Sequence, residues 1–317
     1  MTARSEGADA FASAYHAPVL ASEILGLLGR CGRVLDGTLG GGGHSQALLD
    51  GGVSHVVGID RDREALRAAR QRLGDQAAAG RFESYHGNYS ALDAVPELNG
   101  VTFDGILLDL GISSHQIDET ARGFSFREGA PLDMRMGDDA ERTAADLLAE
   151  EGEGELARIF REYGDEPRAG RLAREIIRRR GNRPLVSSDD LVGAIRGALG
   201  PRTGPGDFAR LFQALRIAVN DELAGLERAL PALRGRLAPG GILAVIAYHS
   251  GEDRLVKHAF RDWSAACVCP PRQPVCTCRG RPLGRTLTRK AVVASETEIA
   301  HNPRARSAHL RAWQSGE

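Results

Sequence analysis

The chain has 317 residues, of which 42% are hydrophobic and 26% charged, and its formal net charge is −1. This length allows one large domain, or one domain with a second domain inserted into it. The composition is typical of a globular protein, and no apolar run approaches the roughly 18 residues that suggest a transmembrane helix. The N-terminal segment lacks the apolar core of a signal peptide, which predicts a cytoplasmic protein.

The first third of the chain alternates strands and helices. Residues 1 to about 15 are predicted to be disordered, and a first helix starts near Glu23. Strands are predicted at 33–36, 56–60, 82–86 and 103–110, with helices at 45–50 and 64–73. The last of these strands is almost continuously apolar, which is typical of a parallel strand buried on both faces. The pattern predicts a doubly wound α/β sheet.

The alternation stops after the fourth strand and returns near residue 206. Helices are predicted at 144–148, 156–163, 168–180 and 191–199, the last with Ser188 as its N-cap. One long helix at 207–230, a strand at 241–249, a helix at 253–263 and strands at 291–295 and 308–313 follow. We therefore predict a discontinuous α/β domain, 1–136 and 206–317, with an all-helical domain at 137–205.

A glycine-rich turn follows the first strand, in the sequence VLDGTLGGGGHS at 34–45. Glycines there let backbone N–H groups approach a ligand closely. Asp60 ends the second strand 20 residues after Gly40, where an acid usually binds ribose hydroxyls. A dinucleotide G-x-G-x-x-G/A register from Gly40 would put Ser45 at the third glycine, and no Gly-Lys-Ser/Thr of a P-loop follows. A nucleoside without pyrophosphate, such as S-adenosylmethionine, is favoured over NAD; a merely flexible glycine loop is the alternative.

The fourth strand ends in Asp109-Leu-Gly-Ile-Ser-Ser-His-Gln116, at the sheet edge where open α/β folds bind their ligands. Methylation of an amino group on a base has a particular requirement. The exocyclic amine is a poor nucleophile because its lone pair is delocalised into the ring. A carboxylate and turn carbonyls can accept its N–H groups and take up a proton. Asp109 and Ser113 are therefore catalytic candidates. The alternatives are that Asp109 caps the next turn and that Ser113 only forms it.

Charge is unevenly distributed along the chain. Residues 138–166 hold eleven acids against three Arg, whereas 167–183 hold seven Arg against one Glu. From Cys267 to the end, nine Arg or Lys accompany three Glu. Each block is compatible with a solvated surface, but a basic helix and a basic tail also fit an RNA-binding surface.

Four of the five cysteines form two Cys-x-Cys pairs, Cys267/Cys269 and Cys276/Cys278. Disulfides are disfavoured in the cytoplasm, so the set could hold Zn²⁺, although zinc sites usually have two to four residues between paired ligands. Whether these four cysteines bind zinc or are free thiols remains open. Cys31 stands alone and is expected to be buried.

Ten motifs occur in order between residues 16 and 311: HxPVL, DGTLGGGGHS, GIDRD, LLDLGISSHQID, RGFSF, PLDMRM, FQALRIAVNDEL, YHSGEDRLVK, LTRK and NPRARSAHLR. Together they resemble the RsmH (MraW) family, the small-subunit ribosomal RNA cytosine-N4 methyltransferases. The resemblance implies S-adenosylmethionine as methyl donor and a cytosine in the decoding centre as target, within an assembled or late-assembling 30S subunit. It also implies a Rossmann-like class I methyltransferase sheet with a helical, RNA-recognising insertion.

The resemblance also implies roles for individual residues. The donor-binding positions of the family match Gly42, Gly43, His44, Asp60, Tyr89, Asp109 and Gln116. His249, placed at the end of the fifth strand, would contact the target base or a phosphate, or else be a hydrogen-bonded strand-end histidine. Two positions depart from the family pattern, because Gly251 replaces a large aliphatic residue and Tyr248 stands where Phe is common.

Further alternatives remain open. Arg122, Phe124 and Phe126 could stack on a flipped base or anchor their loop in a core. A non-catalytic rRNA-binding assembly factor could keep the same fold. DNA cytosine-N4 methyltransferases carry Asp/Ser-Pro-Pro-Tyr-like turns after strand four, where this chain has Asp-Leu-Gly-Ile.

Overall fold

The computed structural model describes residues 18–270, 273, 275 and 277–316, except for the side chains of Ser114 and His115. The segment predicted to be disordered lies outside these residues. Among the helices described, none has the length and apolar character needed to cross a membrane. The chain divides into two compact units, Met1–Gly111 with Leu223–Glu317, and Ile112–Glu222.

The first unit contains one sheet. Its strands are β1 (Arg33–Asp36), β2 (His55–Asp60), β3 (Phe82–His86), β4 (Phe103–Asp109), β5 (Leu237–Ala247), β6 (Gly284–Thr286), β7 (Val292–Val293) and β8 (His309–Ser315). Their order is β3-β2-β1-β4-β5-β8-β6, with β7 also paired to β8. Strands β1 to β5 run parallel to one another, and β8 is antiparallel to β5. The predicted α/β class with a mainly parallel sheet is confirmed.

The helices in chain order are α1 (Ala21–Leu28), α2 (Gly43–Asp50), α3 (Arg63–Arg72), α4 (Gly74–Ala78), α5 (Ser114–Asp118), α6 (Ala144–Glu150), α7 (Glu153–Glu162), α8 (Ala169–Arg180), α9 (Ser188–Leu199), α10 (Pro205–Asn220), α11 (Glu222–Arg234), α12 (Ser250–Ser264) and α13 (Glu296–His301). Short 3-10 turns connect some of them.

Both faces of the sheet are covered. Successive β4 residues Leu107 and Leu108 are fully buried but belong to different core clusters, as side chains that alternate across a strand must. Leu35 lies in the same cluster as Leu108, and Val34 in the same cluster as Leu107. This two-sided burial explains why the sequence of β4 is nearly all apolar.

The second unit is helical and has a core of its own. Phe160, Leu172, Ile195 and Leu211, from α7 to α10, are buried in one cluster. The predicted insertion at 137–205 lies within this unit, whose bounds are wider because Leu132 and the side chains of α10 pack into the same cluster.

Several predicted element boundaries were wrong, including the three that follow. The helix predicted at 207–230 is two helices, because Asp221 adopts a left-handed conformation (φ 52°) that ends α10. Ser187, not Ser188, caps α9: its hydroxyl accepts from the Asp190 N–H, and the Asp190 carboxylate accepts from the Ser187 N–H. β5 ends at Ala247, so His249 is the residue before α12 rather than a strand end.

Candidate functional site

Three neighbouring strands end in aspartates. Asp60 ends β2, Asp36 ends β1 and Asp109 ends β4, while Tyr248 follows β5 directly. Because these strands are adjacent and parallel, their carboxyl ends share one edge of the sheet. The chain order reverses between β1 and β4, which is where open α/β sheets bind their ligands.

Asp60 is held by backbone donors. Its Oδ2 accepts the Gly40 N–H at 2.7 Å and its Oδ1 accepts the Asp62 N–H at 2.8 Å. Burial raises the pKa of Asp60 to about 6, although these two N–H groups oppose the shift. A carboxylate offers about four acceptor positions, so two backbone donors leave capacity for ligand hydroxyls.

The glycine turn has separate roles at separate positions. Gly40 is left-handed (φ 51°) and directs its N–H to Asp60. Gly42 is also left-handed (φ 77°), and a Cβ there would lie 3.1 Å from a Leu73 methyl and 3.3 Å from the Ala69 Cβ. Gly42 thus lets α2 begin against α3, and Gly43 is the buried first residue of α2. Donor contacts at Gly42 and Gly43 remain predictions.

Asp109 lies between a phenol and an imidazole. The Tyr248 hydroxyl donates to Oδ1 at 2.8 Å, and His44 Nε2 lies 3.4 Å from Oδ2. The Asp109 N–H donates to Thr38 Oγ1 at 2.6 Å. The Asp109 side chain is only 12% exposed. The strand end, the glycine turn and the residue after β5 therefore fix this carboxylate together.

Charge around His44 and Tyr248 keeps protons in this cluster. Burial alone would lower the pKa of His44, but Asp109, Asp36 and Glu298 outweigh it and raise the pKa above the usual value. Burial and the neighbouring Asp109 raise the pKa of Tyr248 well above its ordinary range. Tyr248 therefore keeps its proton throughout the neutral range and donates a hydrogen bond to Asp109.

Asp36 connects the turn to the sheet. Its Oδ2 accepts the Ser45 hydroxyl at 2.8 Å, and its Oδ1 accepts the Thr38 N–H at 3.3 Å. The side chain is buried, which raises its pKa against the opposing effects of His44, Ser45 and Thr38. Asp36 thus positions the residues on either side of the glycine turn.

Tyr89 approaches the end of β1 because Gly37 has no side chain. A Cβ on Gly37 would lie 3.2 Å from the Tyr89 Cβ and 2.6 Å from a Leu108 methyl. Tyr89 packs, partly buried, against the core cluster that contains Leu35 and Leu108. The predicted role of Tyr89 beside an adenine ring is untested.

The His249 side chain lies against the first turn of α12. Its Nε2 lies 3.2 Å from Glu252 Oε1, and Glu252 Oε2 accepts the Tyr248 N–H at 2.9 Å. A Cβ on Gly251 would lie 3.1 Å from the His249 ring and 3.2 Å from a Leu223 methyl. The glycine that departs from the family pattern thus accommodates this position of the imidazole.

Comparison with known proteins establishes the family. A model described as the MraW methylase family matches residues 13–315. The chain belongs to this family. Relatives named "Ribosomal RNA small subunit methyltransferase H" include one from Gemmatimonas aurantiaca, 64% identical over 95% of each chain. Another, from Heliobacterium modesticaldum, is 48% identical over 94% of this chain and 97% of its own. Among solved structures, an rRNA methylase from Streptococcus thermophilus matches over 94% of each chain, with 11% identity and a TM-score of 0.41.

In this member of the MraW methylase family, Ser113 and Gln116 belong to the second unit. The Ser113 N–H donates to Gln116 Oε1 at 3.0 Å, and the Gln116 N–H donates to Ser113 Oγ at 3.2 Å. These reciprocal bonds close the turn that starts α5. The catalytic role of Ser113 and the donor contact of Gln116 remain predictions.

The RGFSF motif packs within the second unit. The Phe126 ring meets the edges of Phe208 and Phe212 at centroid distances of 5.9 and 6.1 Å. Arg122 donates to the Met136 carbonyl at 3.1 Å, and Phe124 packs against the helical core. The contacts of Arg122 and Phe124 are those of a loop anchored in a core, whereas Phe126 remains 39% exposed, so its predicted stacking on RNA stays a prediction.

The arginines of α8 differ in their exposure and in their partners. Arg180 donates to the carbonyls of Leu148 and Glu151, which fastens α8 to the end of α6. Arg171, Arg174 and Arg178 are exposed, opposite the buried face of α8. Arg174 lies 3.1 Å from Glu153, and Arg178 lies 2.7 Å from Glu175.

Sequence reasoning identified Asp60 and Asp109 as site residues, but it did not identify the side chains that hold Asp109 in place. Thr38 was not singled out, and Tyr248 was noted only as a departure from the family pattern. Asp36 was noted as a strand end but not proposed for the site. The available signal was that Asp36, Asp60 and Asp109 each follow an apolar strand.

Proposed function

We propose that this protein transfers a methyl group from S-adenosylmethionine to the N4 amine of a cytosine in the decoding centre of 16S rRNA. The observation that carries the proposal is the Asp109 carboxylate, held by Tyr248 and His44 on the sheet edge that also contains Asp60. The names of the family relatives support small-subunit rRNA as the substrate.

Donor binding is assigned to the ends of β1, β2 and β4. Asp60 would accept the ribose hydroxyls with the acceptor positions left by Gly40 and Asp62. Tyr89 would flank the adenine, and Gly42, Gly43, His44 and Gln116 are the remaining proposed contacts. The donor supplies an electrophilic methyl group on a sulfonium, which leaves as a neutral thioether.

Asp109 is proposed to act on the target amine. When the Asp109 carboxylate accepts a hydrogen bond from an N–H of that amine, the nitrogen lone pair is drawn out of conjugation with the ring. The new C–N bond makes the nitrogen cationic, so it must release one proton as the C–S bond breaks, and Asp109 is the proposed acceptor. Tyr248 already occupies Oδ1, which leaves Oδ2, the oxygen nearer His44, for this role.

Substrate positioning is assigned to other groups. His249, oriented by Glu252, is proposed to contact the target base or its phosphate. Ser113 would accept a hydrogen bond near the amine. The exposed arginines Arg171, Arg174 and Arg178 would bind the rRNA backbone, because phosphate contacts position a substrate without reading its sequence.

Methyl transfer from labelled donor tests the proposal. The full chain is incubated with purified 30S subunits, naked 16S rRNA and duplex DNA, and the labelled nucleosides are separated. We expect N4-methylcytidine from small-subunit rRNA and no label in DNA. Label on cytosine C5 or in DNA would overturn the assignment, and binding to subunits without transfer would identify a non-catalytic assembly factor.

A further inference from the structure

The segment between α12 and β6, residues 265–283, has no helix or strand among its described residues. Its ends are nevertheless fixed to the first unit. Arg279 donates to the carbonyls of Ala265 (3.0 Å) and Asp262, and the Leu283 N–H donates to the Trp263 carbonyl at 2.8 Å. These bonds hold Arg279 and Leu283, which follow the cysteines in the chain, against the end of α12.

Three thiols converge inside this segment. Sulfur atoms of Cys267, Cys269 and Cys278 all lie within 4.8 Å of one another. Cys267 Sγ and Cys278 Sγ are 3.8 Å apart. The Val268 N–H donates to Cys278 Sγ at 3.4 Å, and the backbone amides of Thr277 and Cys278 hydrogen bond to Cys269. Backbone N–H groups directed at sulfur are the usual outer partners of metal-bound thiolates.

The geometry points to a zinc site built from Cys267, Cys269 and Cys278. Sulfur ligands about 2.3 Å from a tetrahedral zinc are separated by about 3.8 Å, which is the spacing between Cys267 and Cys278. A disulfide would bring two sulfurs to about 2.05 Å. Calcium and magnesium take oxygen ligands, whereas thiolates select zinc and other soft metals. Cys276, the fourth cysteine of the two Cys-x-Cys pairs, lies outside the described residues.

Cys278 lies beside Cys267 although the two are 11 residues apart in the chain, and this explains how the unusual spacing could serve one metal. The Val268 N–H donates to Cys278 Sγ, so the backbone between Cys267 and Cys269 lies beside Cys278. A metal there would close the loop and reduce the conformational entropy of the irregular segment.

Metal analysis of the full, untagged chain tests this site. The protein is purified without chelators, and zinc is measured by elemental mass spectrometry. We expect about one zinc per chain in the parent and at least a tenfold reduction in the variant Cys267→Ser/Cys269→Ser/Cys278→Ser. Cys31→Ser is the matched control and should keep its zinc, because the Cys31 thiol is bonded elsewhere, to the Asp104 carbonyl at 3.5 Å.

Cobalt exchange tests the same site in the unsubstituted protein. Co²⁺ bound by thiolates gives a strong sulfur-to-metal charge-transfer absorption, which we expect in the parent and in Cys31→Ser. Circular dichroism of the triple variant should match the parent, which separates loss of metal from loss of fold. A metal-free parent that also fails to take up Co²⁺, or a mapped Cys267–Cys278 disulfide, would overturn the proposal. Neither measurement depends on methyl transfer.

Discussion

The two compact units differ in the surroundings of their carboxylates, and the pKa values of these groups shift in opposite directions. In the first unit, Asp36 is buried and Asp60 is half-buried at strand ends, and desolvation raises the pKa of each. In the second unit, Glu175 lies beside Arg178 and Arg179, which lower its pKa to about 2. Buried carboxylates without cations nearby cost stability, and such groups cluster at functional sites. Paired surface charges cost little and can be re-paired with a polyanion.

On this contrast we propose that Asp60 and Asp109 of the first unit act on the donor and the target amine, and that the arginines of α8 in the second unit attach the substrate electrostatically. Variants of the buried acids should alter turnover or donor binding, with small changes in substrate attachment. Variants of α8 should alter attachment and its salt dependence, with donor binding unchanged.

Asp109→Asn is expected to lower turnover about 10²- to 10³-fold, because the amide cannot take up the proton of the target amine. The amide oxygen can still accept the Tyr248 hydroxyl, so the melting temperature should change little. Turnover on 30S subunits and thermal unfolding are measured together. Tyr248→Phe, which leaves the carboxylate in place, should lose at most about tenfold in turnover. Parallel losses of melting temperature and turnover in Asp109→Asn would favour a structural cap.

Asp60→Ala is expected to weaken donor binding by about 1.5–3 kcal/mol, through loss of charge-assisted bonds to the ribose. Because the pKa of Asp60 is about 6, its ionised form disappears as the pH falls through that value. The parent should therefore bind the donor more weakly at pH 5 than at pH 7, and the variant should show a flat profile. Calorimetry at several pH values provides the measurement.

Asp75→Ala is the matched control for Asp60→Ala, because Asp75 is an exposed aspartate in the first turn of α4. It should retain both the donor affinity and the pH profile of the parent. An unchanged dissociation constant in Asp60→Ala would remove Asp60 from the donor site.

Replacing Arg171, Arg174 and Arg178 by Gln is expected to weaken binding to 30S subunits and leave donor affinity intact. Each lost phosphate contact should flatten the logarithmic salt dependence of binding by roughly one unit. Filter binding over a range of salt concentrations measures this. The control variant replaces Arg142, Arg158 and Arg161 by Gln. It removes the same charge from the acidic residues 138–166 and should leave the salt dependence of binding unchanged.

The competing account is that the arginines of α8 only neutralise acids. Arg174 and Arg178 do lie against Glu153 and Glu175. Under that account the α8 triple variant would lose stability while its substrate affinity and salt slope stayed at parental values. That outcome would rule out rRNA attachment through α8.

Glu175→Gln is expected to have the smallest effect, a loss of about 0.2–1 kcal/mol of unfolding free energy at pH 7, because surface ion pairs contribute little. The folded-state pKa of about 2 lies below the ordinary 4.5, so the contribution is complete above pH 4.5 and is lost as the pH falls toward 2. Urea unfolding should show a smaller difference from the parent at pH 3 than at pH 7. A constant difference would show that Glu175 contributes by packing; Glu227→Gln, an exposed site on α11, is the control.

The sheet was largely predictable from sequence, and its side-chain partners were not. The bounds of β1 and β3 were predicted correctly, because their residues are followed by turn-forming ones. The break at Asp221 gave no signal, since apolar spacing continues across it and the left-handed residue is not a glycine. Adjacent Ser187 and Ser188 both suit an N-cap, and only the Asp190 contacts distinguish them.

The same limit applies to the site. Asp60 and Asp109 were found because each ends an apolar strand, which is a local pattern. Their environment depends on tertiary contacts, since Thr38 is 71 residues from Asp109 in the chain and Tyr248 is 139 residues away. No spacing rule connects such positions, so the pKa values and orientations of the acids required the folded structure.

The register of β4 with β5 has a consequence for synthesis on the ribosome. Asp109 pairs with Ile246, and the helical unit is encoded between them. At about 5–20 residues per second, the partner of β4 is synthesised on the order of ten seconds after β4 itself. During that interval one long edge of an apolar strand lacks its neighbour, while the helical unit can already complete its own core. Nascent chains from which the helical unit has emerged but β5 has not should therefore be the most prone to aggregate.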